Sequence, residues 1–461
     1  MRTQIFFAST LYGAATLAAA LDAGCFAPAD RRLLLVSNNA GNPETTPSLD
    51  RMPGFAPLRS RFDAVVSWND AIRPFHPGGW SPRADDAPLW ERHLRLLWGL
   101  GEEQRDGVEL VLESIQVNPA LAVARMFPDA PIHVYADGLM SYGPTRSKLD
   151  PLVGSRVRRL LHLDLLPGLR PLLLTEFDVE SQVVPDAAFG AVLKELAAEV
   201  PDAAGEAAAA PDAGRPALLL GQYMAALGIL TDEEEEQLHL RMLRGAAALG
   251  HRTVVFKPHP VAPARYARGL ETEAEKLGVR LRVLQSPVLA EVLYQQLRPQ
   301  LVVGCFSTAL LTAARFFGLP VARTGTDLLL ERLAPYENSN RVPVTLVDAA
   351  LPDVDVPEAV RDWSMPGEER VAGELTDLVR AVGYCMQAQL YPGLRREVEQ
   401  YLSTAAGAGT RRYFKRRRLM SLALPGGVPA RLAFLPRNAL ARRVVRRGRA
   451  VKRTVRRVAV R

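Results

Sequence analysis

Cysteine is scarce: Cys25, Cys305 and Cys385 are the only three in 461 residues, and they stand far apart. That spacing excludes a disulfide framework and a cysteine-built zinc site, and it suits a reducing compartment. Long apolar runs are missing too. No stretch reaches eighteen consecutive apolar residues, so nothing reads as a bilayer-spanning helix. Arg2 is the only basic residue in the first 24 positions, and Ser9, Thr10 and Tyr12 interrupt the apolar part. The start therefore reads as a strand from Gln4 to Ala8, a turn over Ser9 to Gly13 and a helix from Ala14 to Ala23, a first βα unit and not a secretory leader. Acidic residues are absent from the last 51 positions. Arg411 to Arg461 holds 18 Lys or Arg and no Asp or Glu, leaving 39 basic against 50 acidic residues before it. The net charge of +7 thus hides an acidic body and a polycationic tail.

What is present is enough apolar material for two cores: 48% of the residues are apolar, and 461 residues exceed one typical domain. Short buried strands are expected at Leu33 to Val36, Ala64 to Ser67, Glu109 to Gln116 and Ile132 to Tyr135, each running into polar residues. A helix is expected over Ala120 to Met126. The run Pro201 to Pro216, rich in Ala, Pro, Gly and Asp, reads as a linker. The pattern then restarts at Leu218 to Leu220, and Thr231 followed by Glu234 has capping-box spacing for a helix ending near Leu249. Strands at Val254, Arg280 and Leu301 alternate with helices from about Ala262 and Leu289, and a further helix runs from Ala309 to Phe317. Alternating strands and helices argue for parallel sheets. The expected fold is α/β and GT-B-like, with two facing Rossmann-like domains and a cleft between them. Its parts are an acceptor-side domain over 1–200, a linker over 201–216, a donor domain over 217–348, a helical segment over 349–410 packed on both, and a basic tail over 411–461.

Three stretches carry chemistry. Val254-Val255-Phe256 reads as a buried strand that stops at Lys257-Pro258-His259-Pro260, where two prolines restrict the backbone around one histidine. Strand carboxyl ends are where ligands bind in such sheets, so His259 is either presented to a ligand or caps a turn. Gly304 to Thr308 follows the strand Leu301 to Val303. Its glycine, its two hydroxyls at Ser307 and Thr308 and a helix N-terminus suit a phosphate, although Ser307 or Thr308 could equally be an ordinary cap. Asp137-Gly138 follows the strand Ile132 to Tyr135. It is either a common turn or a carboxylate placed as a general base beside a glycine that admits a substrate. Tyr142, Arg146 and Lys148 are near enough in sequence to meet an anion or to be solvated.

Asp137-Gly138-Leu139-Met140-Ser141-Tyr142-Gly143, Lys257-Pro258-His259-Pro260 and Ser307-Thr308, in this order, resemble the bacterial polysialyltransferase family, which is related to bacterial sialyltransferases with D/E-D/E-G, HP and paired Ser/Thr motifs. Leu11-Tyr12-Gly13, Gly221-Gln222-Tyr223 and Asn338-Ser339-Asn340-Arg341 are similar to family segments as well, and the resemblance spans about Met1 to Asp348. It implies a GT-B transferase that takes CMP-sialic acid as donor, inverts the anomeric carbon, uses no metal or other cofactor and acts on cell-surface polysaccharide. Asp137 then corresponds to the base, His259 to the acid facing the leaving phosphate, and Lys257, Pro258, Pro260, Gly304, Ser307, Thr308 and Gly138 to donor contacts. Glu291, by position only, corresponds to a ribose ligand. The sequence departs from the family at Ala136, which occupies the first acidic position of the D/E-D/E-G motif.

In the tail, Val444, Gly448, Val451, Val455 and Val458 would form one stripe of a helix surrounded by arginines. Such a segment suits an anionic membrane surface, each cation adding up to about 1 kcal/mol. Nucleic acid is the less favoured partner because the body carries no nucleic-acid module. The expected protein is a cytoplasmic glycosyltransferase, peripheral on the inner face of the membrane. A transferase for another nucleotide sugar and a noncatalytic scaffold are the alternatives.

Overall fold

The apolar strands pair into two separate parallel sheets in the computed structural model, which describes residues 1–101, 107–201, 215–259, 265–284, 287–404 and 408–427. The first sheet contains β1 (Arg2–Ala8), β2 (Arg31–Val36), β3 (Ala64–Ser67), β4 (Gly107–Glu113), β5 (Ile132–Ala136), β6 (Val157–His162) and β7 (Glu180–Val183), in the order β3-β2-β1-β4-β5-β6-β7. The second contains β8 (Ala217–Leu220), β9 (Thr253–Lys257), β10 (Arg280–Val283), β11 (Leu301–Gly304) and β12 (Val321–Arg323), in the order β10-β9-β8-β11-β12. Central strands such as Ile5-Phe6-Phe7 and Val254-Val255-Phe256 are almost wholly buried, as expected where helices cover both faces.

Both sheets reverse their strand order once, between β1 and β4 in the first and between β8 and β11 in the second. The loops leaving the two flanking strands diverge there and open a crevice at the carboxyl edge. Each crevice belongs to one half of the molecule. Partly buried contacts join the halves: Tyr12 Oη lies 3.2 Å from Thr312 Oγ1, Arg315 pairs with Asp186 at 2.5 Å, and Gln296 donates to the Val200 carbonyl at 2.5 Å.

Several sequence expectations shift by a few residues, with physical causes. The first helix is Leu11–Asp22 and begins earlier than expected because Thr10 accepts the Gly13 N–H and caps it. The Thr231–Glu234 capping box forms reciprocally at the head of the helix Asp232–Ala248. Tyr142 is fully buried, donating to the Leu163 carbonyl and accepting from the Leu165 N–H, so it braces the fold and faces no ligand.

The basic tail begins later than the charge count suggests. Arg412 and Tyr413 both reach the buried Asp348, at 2.6 and 2.8 Å. Lys415 donates to the carbonyls of Glu331 and Leu333 at the end of the helix Thr326–Arg332, which a cation there stabilises. Arg418 donates to the carbonyls of Cys385 and Met386 and pairs with Glu337. These side chains dock residues 408–427 onto the body, so a tail starting at Arg411 is corrected: its first basic cluster is anchoring. Before that cluster the chain crosses back to the first half, where the Tyr391 hydroxyl accepts from the Thr145 N–H at 3.0 Å. The Pro260 position, most of the 201–216 linker and the Val444 to Val458 stripe lie outside the described residues.

Candidate active site

The two crevices hold different chemistry. At the first, β4 ends on Glu113, whose carboxylate accepts from the Ser9 N–H at 2.9 Å and the Ser9 hydroxyl at 2.7 Å. Burial raises the Glu113 pKa against those two donors. One strand over, Asp137 follows β5 and is half-buried. Burial, and then the neighbouring Glu113 charge, push its pKa up to about 7. Two carboxylates in one desolvated crevice hold a proton between them more tightly than either would alone. A carboxylate with a pKa near neutrality is suited to general-base work.

The head of the helix Leu11–Asp22 closes this crevice from one side. A Cβ on Gly13 would sit 2.9 Å from Tyr135 Oη and 3.2 Å from Asp137 Oδ2, so only glycine leaves the carboxylate its place. Tyr135 is buried beside Glu113 and donates to the Phe7 carbonyl at 3.0 Å.

At the second crevice the loops after β8 and β11 meet, the Phe306 N–H donating to Gln222 Oε1 at 3.2 Å. Ser307 caps the helix Thr308–Phe317 by accepting the Ala309 N–H at 3.2 Å, so its hydroxyl does have the cap role foreseen as an alternative. Gly304 is the last residue of β11 and packs closely under that helix, its would-be Cβ 3.3 Å from Leu310. Beside this loop β9 ends on Lys257, whose carbonyl accepts the Gly221 N–H at 2.9 Å; Pro258 packs against the same turn. His259 is half-buried with its ring centroid 3.9 Å from that of Tyr223, the planes 33° apart. Burial and then the Lys257 charge hold His259 down to about 4, so its imidazole is neutral at pH 7. Burial lowers the Lys257 pKa as well, against the attraction of Glu291.

Glu291 is 3% exposed in the first turn of the helix Ala290–Leu297, and burial pushes its pKa up to about 7. It lies near the Lys257 charge and is closed off from solvent. Thr308 connects the crevices directly. Its Oγ1 accepts the Leu139 N–H at 3.3 Å, and a Cβ on Gly138 would come within 3.0 Å of the same oxygen. The Asp137-Gly138 and Ser307-Thr308 motifs, 170 residues apart in the chain, therefore meet across the cleft. Among the described residues no group of three His, Cys, Asp or Glu side chains is placed to hold a metal.

Sequence reasoning gave no role to Glu113 or Ser9, and noted Tyr223 only as part of the family-like Gly221-Gln222-Tyr223 segment. Glu113 had a readable signal, an acid at the end of an apolar strand, but its pairing with Asp137 depends on β4 and β5 being neighbours. A second feature lay beyond the motifs. At the carboxyl ends of β2 and β3 there is a cavity of about 610 Å3, lined by Asn38, Asn69, Arg51, Arg73 and His76 among others. The Asn69 side chain holds its floor together, accepting the Asn38 N–H at 2.8 Å and donating to the Asn38 carbonyl at 3.0 Å.

A family model describing alpha-2,8-polysialyltransferases matches residues 4–326. The chain belongs to this family. The polysialyltransferase family match covers both crevices and the Asp137-Gly138, Lys257-Pro258-His259-Pro260 and Ser307-Thr308 motifs but stops short of Asn338-Ser339-Asn340-Arg341, and the protein is a sialyltransferase-like glycosyltransferase with a nucleotide-sugar donor and a glycan acceptor. Solved structures similar to it include a Photobacterium 2,6-sialyltransferase in ternary complex with CMP and lactose, at 11% identity and TM-score 0.40, covering 75% of this chain and 76% of that one. Another is the GT-B domain of a Photobacterium damselae sialyltransferase, at 11% identity and TM-score 0.39, covering 76% of this chain and 96% of that one. An E. coli heptosyltransferase is also similar, at 13% identity and TM-score 0.34, covering 70% and 88%. A comparison with curated proteins gives no match. The two α/β halves facing across a cleft have the GT-B architecture.

Proposed function

We propose that this polysialyltransferase-family member moves sialic acid, or a related nonulosonic acid, from its CMP-activated form to a glycan with inversion at the anomeric carbon. The observation that carries the reading is the junction at Thr308, where a carboxylate crevice meets a hydroxyl-rich helix start. Asp137 takes the proton of the acceptor hydroxyl as its oxygen attacks the anomeric carbon. The bond to the phosphate oxygen breaks with its electron pair, and CMP departs. Ser307, Thr308, Gly304 and Lys257 hold the phosphate, while His259, between Pro258 and Pro260, donates to its leaving oxygen. In the free site His259 is neutral; a phosphate anion beside it offsets the Lys257 charge and raises its proton affinity. Glu291 acts from beneath through Lys257. This chemistry needs neither metal nor other cofactor.

The polar cavity at β2 and β3 is the acceptor's place on our reading, because it opens on the same carboxyl edge as Asp137. Residues 428–461, with 12 Lys or Arg and no acid, would hold the enzyme against an anionic inner membrane surface where cell-surface polysaccharide is made in a bacterium. Among the described residues no helix is long and apolar enough to cross a membrane.

The test is CMP release. Incubation with CMP-sialic acid, with and without a sialylated acceptor, is expected to yield CMP and an inverted glycoside. Turnover of UDP- or GDP-sugars, with none of any CMP-nonulosonate, would overturn the reading.

A further inference from the structure

A second cavity, of about 660 Å3, lies away from both crevices, between the helix Asp186–Glu199 of the first half and the helices Ala290–Leu297 and Thr308–Phe317 of the second. Lys194 reaches it from the helix Asp186–Glu199 of the first half, and Arg215 from just before β8. The remaining wall comes from the tail ends of two helices, Ala290–Leu297 and Thr308–Phe317, with Gln295, Arg298 and Phe316 at the surface. Its floor is aromatic: the rings of Tyr294 and Phe317 pack edge to face at 5.3 Å, and Phe316 packs on Phe189 at 5.2 Å. Among the described residues lining it none is acidic, and Lys194, Arg215 and Arg298 are exposed.

Apolar rings below, with three cations and two glutamine amides at the rim, form a surface for a ligand with flat C–H faces, hydroxyls and repeated negative charge. A single small anion uses only the rim. An acidic oligosaccharide uses all of it, and the cavity lies in the size range of sites that enclose a ligand of a few rings. Both wall helices also begin in the cleft, one with Glu291 and the other with Thr308. The ten-residue helix Thr308–Phe317 spans about 15 Å, so a ligand here stays clear of the donor phosphate yet touches the same rigid rod. It would also bridge Lys194 of the first half to Arg298 of the second and so fix the spacing of the halves.

We infer that this groove binds a carboxylate-bearing saccharide chain, the class of polymer that the proposed transfer makes. The inference rests on that reading for the identity of the ligand and on the groove itself for its chemistry. The groove is separate from the acceptor cavity at β2 and β3, so the protein should carry two saccharide sites.

Isothermal titration of the full chain with a sialic acid tetramer, with no nucleotide-sugar donor present so that no transfer occurs, tests this. Two binding events are expected, and Lys194→Gln with Arg298→Gln should remove one of them, its affinity falling at least tenfold. Arg51→Gln with Arg73→Gln should weaken the other. Unaltered tetramer binding in the Lys194→Gln, Arg298→Gln protein overturns the groove assignment, as does inorganic phosphate or an uncharged maltotetraose competing as well as the tetramer. Circular dichroism confirms that these exposed substitutions leave the fold intact. Absence of CMP release from wild-type protein would instead sink the transferase reading, while the titration still reports on the groove.

Discussion

The two crevices are built on the same plan and hold opposite chemistry. Each lies where a parallel sheet reverses its strand order, yet the first gathers two carboxylates and the second gathers hydroxyls, backbone N–H groups, a lysine and a histidine. Negative charge accumulates on one wall, and groups that accept negative charge accumulate on the other. The difference shows that the fold supplies only position; the loop residues decide which chemical groups a crevice offers.

The comparison breaks most visibly if each wall is disabled in turn. Asp137→Asn should lower transfer by roughly 10²–10⁴-fold, the usual size of a lost general base, while CMP still binds. His259→Ala should lower both transfer and donor hydrolysis, by on the order of 10²-fold. Steady-state kinetics with a CMP-binding titration separates the two, and equal losses of CMP affinity in both variants would contradict the division of labour.

A second experiment addresses the paired acids. With Asp137 at about 7, kcat/KM should rise with pH through that value. Glu113→Gln removes the neighbouring charge and should move this limb to lower pH, a change visible in the pH–rate profile even if the rate at pH 8 falls only severalfold. An unmoved limb would assign the titration to another group.

The same shift has a stability signature. Asp137 binds its proton more tightly folded than unfolded, so its contribution to stability is full below the unfolded pKa near 4. It is lost as pH rises through about 7. His259, held to about 4, works in the other direction: its contribution is present above its unfolded pKa, near 6.5, and is lost as pH falls toward 4. Urea unfolding between pH 4 and 8 should therefore show Asp137→Asn flattening a decline toward neutral pH, and His259→Gln flattening a decline toward acid.

The smallest effect expected is at the junction. Thr308→Val keeps the shape but removes the acceptor of the Leu139 N–H, and should cost about fivefold in kcat/KM, since a single hydrogen bond contributes about 1 kcal/mol.

How much of this could be read from residues alone follows the range of the interactions. The Lys257-Pro258-His259 turn, the Ser307-Thr308 helix start and the Thr231–Glu234 capping box are local, and each stood out beside a short apolar run. Glu113 did not, because its meaning comes from Asp137, 24 residues later, at the end of the strand that lies next to it. The strand Val157–His162 escaped notice for a different reason. Arg158 and Arg159 interrupt its apolar pattern, and Arg159 is held by Gln182 at 2.8 Å and His133 at 3.0 Å, contacts visible only in the fold. Arg412, Lys415 and Arg418 were misread because a run of cations has the same composition whether it faces lipid or grips carbonyls.

The contact between the Leu139 N–H and Thr308 Oγ1 has one more consequence. It is one of several bonds between the halves, and any separation of the halves in the cleft would break it, so its breaking can be watched. An amide label at Leu139 would act as a built-in reporter, its resonance and solvent exchange changing as the halves separate. The dwell time of each open interval could then be compared with the interval between successive sugar additions, which would tell whether the enzyme's clock is set by bond making or by the swing of its two halves.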